Sequence, residues 1–382
     1  MIVQNKKIAI IGGGPGGLTL ANLLQINKAE VQVYERDEHK DVRVQGATLD
    51  LHEESGLEAL KRAGLMDAFI AHYRPDAGKL KILDKDLTVY LNEHDSVNSH
   101  SEDRPEIDRA PLRKILLEAL TPGTVVWDSQ FLSMEKQGDG WRLYFKNGKS
   151  YDADIVIAAD GANSRIRPYI TDIQPVYSGI TMVEGNIYHA AINAPKLWKL
   201  VEGGKIFALD EEKTLLFSTK GDGTLTFYTG CKVDENWVRE SGIDFSNREQ
   251  IFEWFRKEFG TWNETWQELF MSEDSSFVVR PQYHYPLDQK WETLPNLTML
   301  GDAAHRMPPY AGEGVNMAMQ DAYELAECLT SNKYDTVKDA LSHYEKQMLK
   351  RASEITRVTL DNTVLMHAPK VIEKLMKMFN GD

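Results

Sequence analysis

The chain has 382 residues, with 44 Lys and Arg against 58 Asp and Glu, a formal charge of −14 and an apolar fraction of 42%. At about 150 residues per domain, this length predicts two or three domains or one large one, and needs no covalent staples. The acidic balance excludes the basic footprint of a nucleic-acid binder and opposes anionic ligands unless a local patch is basic. The apolar content excludes a disordered chain. Two cysteines, Cys231 and Cys328, cannot build a disulfide framework, and no Cys/His cluster has metal-ligand spacing, so no metal is expected and a reducing cytoplasm fits. The apolar run after Lys6 and Lys7 breaks at Gly12, too soon for a signal-peptide core. No stretch reaches the roughly 18 apolar residues of a membrane span.

In chain order, Lys7 to Ile11 is an apolar run ending in glycines, as a buried parallel strand reads. Leu18 to Gln25 has helical spacing, and Val31 to Glu35 is a second strand, which completes one βαβ unit of about 30 residues. Ser55 to Ala63 predicts a helix capped by Ser55 and stopped by Gly64. Strand-like pieces follow (KLKILD, LTVYLN), then a polar stretch to residue 104 and a helix from Arg109 to Leu120. Residues 125–158 read as β structure, with Asn147-Gly148 as a hairpin turn. Residues 173–231 are strand-rich, Ile251 to Phe270 is helical and rich in Trp and Phe, and LTML at 297–300 is a short buried strand. From Val315 the chain turns helical. The expected organisation is α/β: a Rossmann-like nucleotide-binding domain made of 1–74, 105–172 and 281–330. A mixed or antiparallel substrate sheet (75–104 and 173–280) is inserted in it, and a helical segment (331–382) bridges the two.

Three motifs carry chemistry. The first is G-x-G-x-x-G at Gly12, Gly14 and Gly17, with Pro15 opening the helix. Gly12 permits the tight turn, Gly14 lets backbone approach a pyrophosphate, and Gly17 lets helix and strand lie close. Glu35 ends the next strand 21 residues past Gly14, where a carboxylate accepts hydrogen bonds from a ribose and disfavours a 2′-phosphate. The bound dinucleotide should therefore be FAD or NAD. The second motif, Asp160-Gly161, ends a buried strand and is followed by Ser164, Arg165 and Arg167; on its own it reads as an ordinary turn. The third is Gly301-Asp302, with His305, Pro308-Pro309 and Gly312-Glu313-Gly314-Val315-Asn316 behind it. A strand delivers Gly301-Asp302 to its carboxyl end, where open α/β sheets bind ligands. The proline pair is expected to forbid helix. The glycines let backbone approach a flat ring, and the helix that starts near Val315 can stabilise negative charge there.

Together these motifs resemble the signature of FAD-dependent single-component aromatic hydroxylases, over essentially the whole chain and in the family's order. Within that family the chain is most similar to the tetracycline-inactivating Tet(X)-type monooxygenases, through VYERD, GATLDLH, AGL, PEIDRAPLRKILL and GDAAHRMPPYAGEGVN. The resemblance implies non-covalent FAD, NADPH as reductant, dioxygen as co-substrate, and oxygen transfer through a flavin C4a-hydroperoxide to an electron-rich phenol or enol carbon. It implies that Glu35 binds the adenosine ribose and Arg36 lies along the adenine. Arg109 contacts the flavin, and Asp160-Gly161 serves both FAD and NADPH. Gly301 and Asp302 hold the ribityl or pyrophosphate portion. Pro309, Gly312, Gly314, Val315 and Asn316 border the isoalloxazine, and Arg43 and Asp50 lie nearby or form a structural salt bridge.

The departures fall where substrate would bind. Where the Tet(X)-type enzymes carry a Gln, an Arg and a His for the polar edge of tetracycline, this chain aligns Glu184, Lys205 and Thr226. Lys205 keeps the charge without the bidentate fork, and Tyr310 and Glu313 replace a Phe and a Gln. Phe207, Phe217, Phe227, Tyr228 and Tyr310 are candidate walls for a flat substrate, although ordinary sheet core explains any one of them. No residue is assigned as a catalytic acid, base or nucleophile, and a lone His305 reads as structural. The C-terminal KVIEKLMKMF is amphipathic, with Val371, Ile372, Leu375, Met378 and Phe379 on one side, and should cross the domains or lid the cleft. The expected protein is a monomeric hydroxylase of a polycyclic phenol or enol, with a flavin oxidase or dehydrogenase and a drug-sequestering flavoprotein as alternatives.

Overall fold

A computed structural model describes residues 1–42, 47–95 and 104–380, the last three by their backbone alone. Arg43 and the side chains of Met378 and Phe379 lie outside the described residues. The chain begins β1 (Lys7–Ile11), α1 (Pro15–Ile26), β2 (Glu30–Tyr34) and β3 (Leu49–Asp50). A single π turn (Glu53–Leu57) feeds α2 (Glu58–Arg62) and α3 (Met66–Ile70). It continues through β4 (Leu80–Leu83), β5 (Val89–Asn92), β6 (Glu106–Ile107), α4 (Arg109–Glu118), β7 (Val125–Val126), β8 (Phe131–Gln137), β9 (Gly140–Phe145), β10 (Ser150–Ala153) and β11 (Ile155–Ala158). Then come β12 (Val176–Ile187), α5 (Ala190–Asn193), α6 (Pro195–Val201), β13 (Lys205–Asp210), β14 (Lys213–Thr219), β15 (Leu225–Lys232), α7 (Trp237–Glu240), α8 (Arg248–Glu258) and α9 (Glu268–Met271). The chain closes with β16 (Ser275–His284), β17 (Leu297–Met299), α10 (Asp302–His305), α11 (Gly314–Thr330), α12 (Val337–Met366) and α13 (Val371–Asn380).

Five strands form a parallel sheet in the order β17-β11-β1-β2-β7. Its central members read as continuous apolar runs because helices and a second sheet cover both faces. Ile8, Ile10, Val156, Ile157 and Leu297 are all buried there. Helices α1 and α11 pack against each other in the same core. The three-stranded meander β10-β9-β8 contributes Phe131, Leu143 and Phe145 to this core. Phe145 stacks on Tyr34 at 4.9 Å between centroids, and Gly148 turns the β9–β10 hairpin at φ +79°. The order places β1 between β2, which follows it, and β11, which arrives much later in the chain. That reversal opens a crevice at the carboxyl ends of β1 and β11.

The second large sheet has seven strands, β16-β12-β15-β14-β13-β4-β5, antiparallel except for the β4–β13 pair. Alternate residues serve opposite faces. The outer face carries Val183, Ile206, Ala208, Leu215, Phe217, Leu225 and Phe227 onto α6, α8 and α9, an aromatic core that includes Trp254, Phe255, Trp266 and Phe270. The inner face carries Glu184, Asn186, Lys205, Phe207, Leu216, Thr226 and Tyr228 toward the parallel-sheet half, as the strand register requires.

Two local expectations fail. Ser55 does not cap a helix: it lies inside the π turn, and the helical stretch begins at Glu53 with no side-chain cap. Gly64, at φ +70°, does end it. The proline pair does not forbid helix, because Pro309 opens a short 3-10 turn to Ala311, where its missing N–H costs nothing. The strand-rich stretch also contains α5 and α6.

Candidate active site

The glycine loop leaves β1 and packs against the end of β11. At φ +114° Gly12 has no room for a side chain, because a Cβ would collide with the Ala159 carbonyl. A Cβ on Gly17 would collide with the Gly12 carbonyl, so both must be glycine. Gly14 instead faces open space at the N-terminus of α1, with Pro15 in the first turn and no side-chain cap or acidic residue there. The free N–H groups of that turn and the helix dipole suit an anion. Glu35, buried at the end of β2, accepts the Gly13 N–H at 2.6 Å and the Asp37 N–H at 3.0 Å, which holds the loop in shape. Arg36 is exposed beside it.

The other two motifs lie at the ends of neighbouring strands. Asp160 follows β11; one of its carboxylate oxygens accepts the Arg165 N–H at 2.8 Å, while the other is buried with no partner among the described residues. Burial pushes this carboxyl above its ordinary range, against the hydrogen bonds from Ser164 and the following backbone. Gly161 takes φ +82° beside open space. Gly301 follows β17 at φ +60° and donates its N–H to buried Asp321 at 2.8 Å, which leaves Asp302 exposed at the start of α10. His305 also binds Asp321, at 2.6 Å, and Arg351 closes that network, so His305 anchors α10 to α11. Arg167 stacks on Tyr285 at 3.5 Å and donates to the carbonyls of Ala303 and Ala304 at 3.0 Å each, which ties the second motif to the third.

Pro309 begins the turn that ends in Gly312 at φ +70°, and Gly314 opens α11 into open space. The Asp50 carboxylate lies 3.4 Å from where a Gly312 Cβ would be. Asn316 is buried; its amide donates to the Asp50 carbonyl and its oxygen accepts the His52 N–H, each at 2.9 Å. Val315 packs beside it on the core. His52 bridges the Asp50 carboxylate (3.1 Å) and that of Glu313 (3.3 Å). Burial disfavours charge on His52, but hydrogen bonds to the two carboxylates outweigh it and raise its pKa to about 9. Burial opposes ionisation of Asp50 as well, but His52 and the charge of Lys205 hold its pKa below the ordinary value. His52 was not picked out from the sequence, although the alternation in Leu49-Asp50-Leu51-His52 puts Asp50 and His52 on one side of an extended segment.

The sheet side of the site has two ends. At the apolar end, Phe207, Leu216 and Tyr310 pack with Met366 and with Val371, Ile372 and Leu375 of α13. Tyr310 lies edge-on to His367 and approaches its ring nitrogen at 3.3 Å. At the polar end, buried Glu184 pairs with Arg280, and Tyr228 lies opposite Glu184 in the β12–β15 register. Burial, then the Glu184 charge, pushes the Tyr228 hydroxyl up to about 12, against the charges of Arg109 and Arg280. Arg109, exposed at the start of α4, thus belongs to this polar cluster.

The positions aligned with tetracycline contacts are occupied internally: Glu184 by Arg280, Lys205 by buried Glu106, and Thr226 by Asn186 at 2.7 Å. Phe217 does not reach the site. It points to the outer face and meets Trp266 edge-on at 6.0 Å, because its place in β14 has the opposite parity to Leu216. Glu106, Arg280 and Asn186 are partners that single-residue reading could not assign.

A protein-family model described as an FAD binding domain matches residues 5–359. The chain belongs to this family of flavin monooxygenases. Over 97% of both chains it is 28% identical to monooxygenase penA of Penicillium thymicola. It is 27% identical to the 6-hydroxynicotinate 3-monooxygenase of Pseudomonas fluorescens, over 95% of this chain and 92% of that one. Among solved structures, tetracycline destructase Tet(55) superposes with a TM-score of 0.79 at 20% identity, covering 100% of this chain and 95% of its own. Klebsiella pneumoniae HpxO complexed with FAD and uric acid gives 0.77 at 20%, covering 100% and 94%. The chain is thus an FAD-dependent monooxygenase of the aromatic hydroxylase type. The structure fits FAD: the open first turn of α1 and the Glu35-braced loop stand at the carboxyl end of central strand β1, and Gly314 leaves open space at the start of α11.

Proposed function

We propose that this monooxygenase uses NADPH to hydroxylate a flat polycyclic phenol or enol, with tetracyclines the first class to test. The observation that carries the substrate class is the two-ended inner wall: Phe207, Leu216 and Tyr310 at one end, and Tyr228 with Glu184, Arg280 and Arg109 at the other. Aromatic and aliphatic walls favour a flat apolar body, and the polar end fixes its orientation. NADPH as reductant rests on the family resemblance of the motifs, and the two free, buried cysteines accord with a reducing cytoplasm. No described helix is long and apolar enough to cross a membrane.

FAD, when bound, supplies the activation of dioxygen. The α1 N-terminus and the glycine loop would hold its pyrophosphate, Glu35 and Arg36 its adenosine, and Asp160, Gly301 and Asp302 the stretch between. Pro309, Gly312 and Gly314 to Asn316 would border the ring. Tyr228 keeps its proton at neutral pH, so its hydroxyl can donate to a substrate oxygen. The apolar cluster under α13 excludes water from the reacting end, which oxygen transfer requires. The segments 1–74, 105–172 and 281–330 would serve FAD, 75–104 and 173–280 the substrate, and 331–382 would span both.

The test is a screen of purified yellow protein with phenolic and tetracycline compounds for stimulated NADPH oxidation, with products weighed by mass spectrometry. One added oxygen atom, dependent on NADPH and dioxygen, is expected. A desaturated product indicates an oxidase or dehydrogenase, and unchanged ligand indicates sequestration. Oxygenation of another ring compound but of no tetracycline refutes the tetracycline assignment alone.

A further inference from the structure

Two carboxylates, Asp50 and Glu313, meet at the edge of the loop that would border the isoalloxazine, in a protein of charge −14 whose cofactor is itself an anion. Left alone they would repel that cofactor. The ring of His52 lies between them, with its side chain 14% exposed and one nitrogen directed at each. The bridge joins His52 to Glu313, far apart in the chain, and the Asn316 side chain repeats the connection through two backbone hydrogen bonds. Asp50 pairs across β3–β6 with Glu106, which holds Lys205 from the inserted sheet, and the Lys205 charge reaches Asp50. Among the described residues, the charged groups at His52 are Asp50 and Glu313 in contact, with the Lys205–Glu106 pair coupled to Asp50.

We propose that His52 is a positioning residue of the flavin site. Its ring, bridging Asp50 and Glu313, holds the Gly312–Asn316 loop in the shape that receives the isoalloxazine and keeps a positive charge on that carboxylate-lined edge. This rests on the ring-bordering role of the loop proposed above. The raised pKa of His52 supplies the charge through the neutral range, because the imidazolium persists until pH approaches about 9.

The experiment titrates His52 by NMR in the apo-protein, with H52Q to assign its resonance, and measures FAD affinity of the wild type, H52Q and G314V between pH 6 and 10 by flavin fluorescence. The expected His52 midpoint lies well above its ordinary 6.5. H52Q keeps hydrogen-bonding capacity without charge, so it should bind FAD about tenfold more weakly at pH 7, the size of one charge-assisted hydrogen bond. Wild-type affinity should fall as pH rises through about 9, while H52Q shows no such step. An ordinary His52 midpoint, or an H52Q variant with wild-type affinity and pH profile, overturns the assignment. The titration needs no folded variant beyond the one that assigns it. Gly314 has open space around it, so G314V should fold yet lose FAD. A G314V protein with unchanged FAD affinity and flavin spectrum refutes the loop reading on which the proposal rests. An ordinary His52 midpoint beside a G314V that loses FAD refutes the His52 role alone.

Discussion

Replacing Lys205 by Met removes the cation in contact with Glu106, a carboxylate that is 1% exposed. Burial already pushes the Glu106 pKa up, with Lys205 working against that. Breaking a buried pair from one side typically costs about 3–5 kcal/mol, because a charge is left uncompensated. The protein can escape part of this by protonating Glu106. From an ordinary value of 4.5, that uptake costs about 3.4 kcal/mol at pH 7 and about 0.7 kcal/mol at pH 5. K205M should therefore lose about 3 kcal/mol of stability at pH 7 and less than about 1 kcal/mol at pH 5. Urea unfolding followed by tryptophan fluorescence at the two pH values measures both losses. The double variant E106Q/K205M, which leaves no charge at position 106 while His52 still compensates Asp50, should recover to within about 1 kcal/mol of the wild type at either pH. Equal losses at pH 5 and pH 7, or a double variant no better than K205M, would refute the reasoning.

Further outcomes follow from the same geometry. F217A should destabilise the protein by about 3–5 kcal/mol through a cavity against Trp266, while the surviving folded enzyme keeps its KM; F207A should raise KM. Steady-state kinetics that show the larger KM change in F217A would contradict the assignment of faces. The pKa of His52 is raised on folding, so the stability from its bridge is fully present below 6.5 and lost as pH rises through about 9; thermal unfolding of H52Q should lack that alkaline slope. G17A forces a Cβ against the Gly12 carbonyl, so the purified protein should lack the flavin absorbance of yellow wild type prepared beside it.

Much of the parallel-sheet half is legible in the residues. An apolar run without alternation, ending in glycine, means a strand buried on both faces, and three such runs deliver Gly12, Asp160 and Gly301 to the same end of one sheet. The inserted sheet is less legible. Phe207 and Phe217 are equally aromatic, and only the pairing of β13 with β14, which sets Phe207 opposite Leu216, decides that one faces the site and the other Trp266. Ser55 looked like a cap because capping residues are recognised by type, whereas the π turn depends on packing against α11.

The sequence by itself determined the glycine loop and its Glu35 brace, because glycine spacing, a strand-ending carboxylate and helix N-termini are local features whose chemistry follows from a few neighbouring residues. Tertiary structure decided which charges meet. Lys205 with Glu106, Glu184 with Arg280, and His52 between Asp50 and Glu313 each join segments distant in the chain. Coulombic partners and burial depend on distance in space, and residue spacing does not encode them.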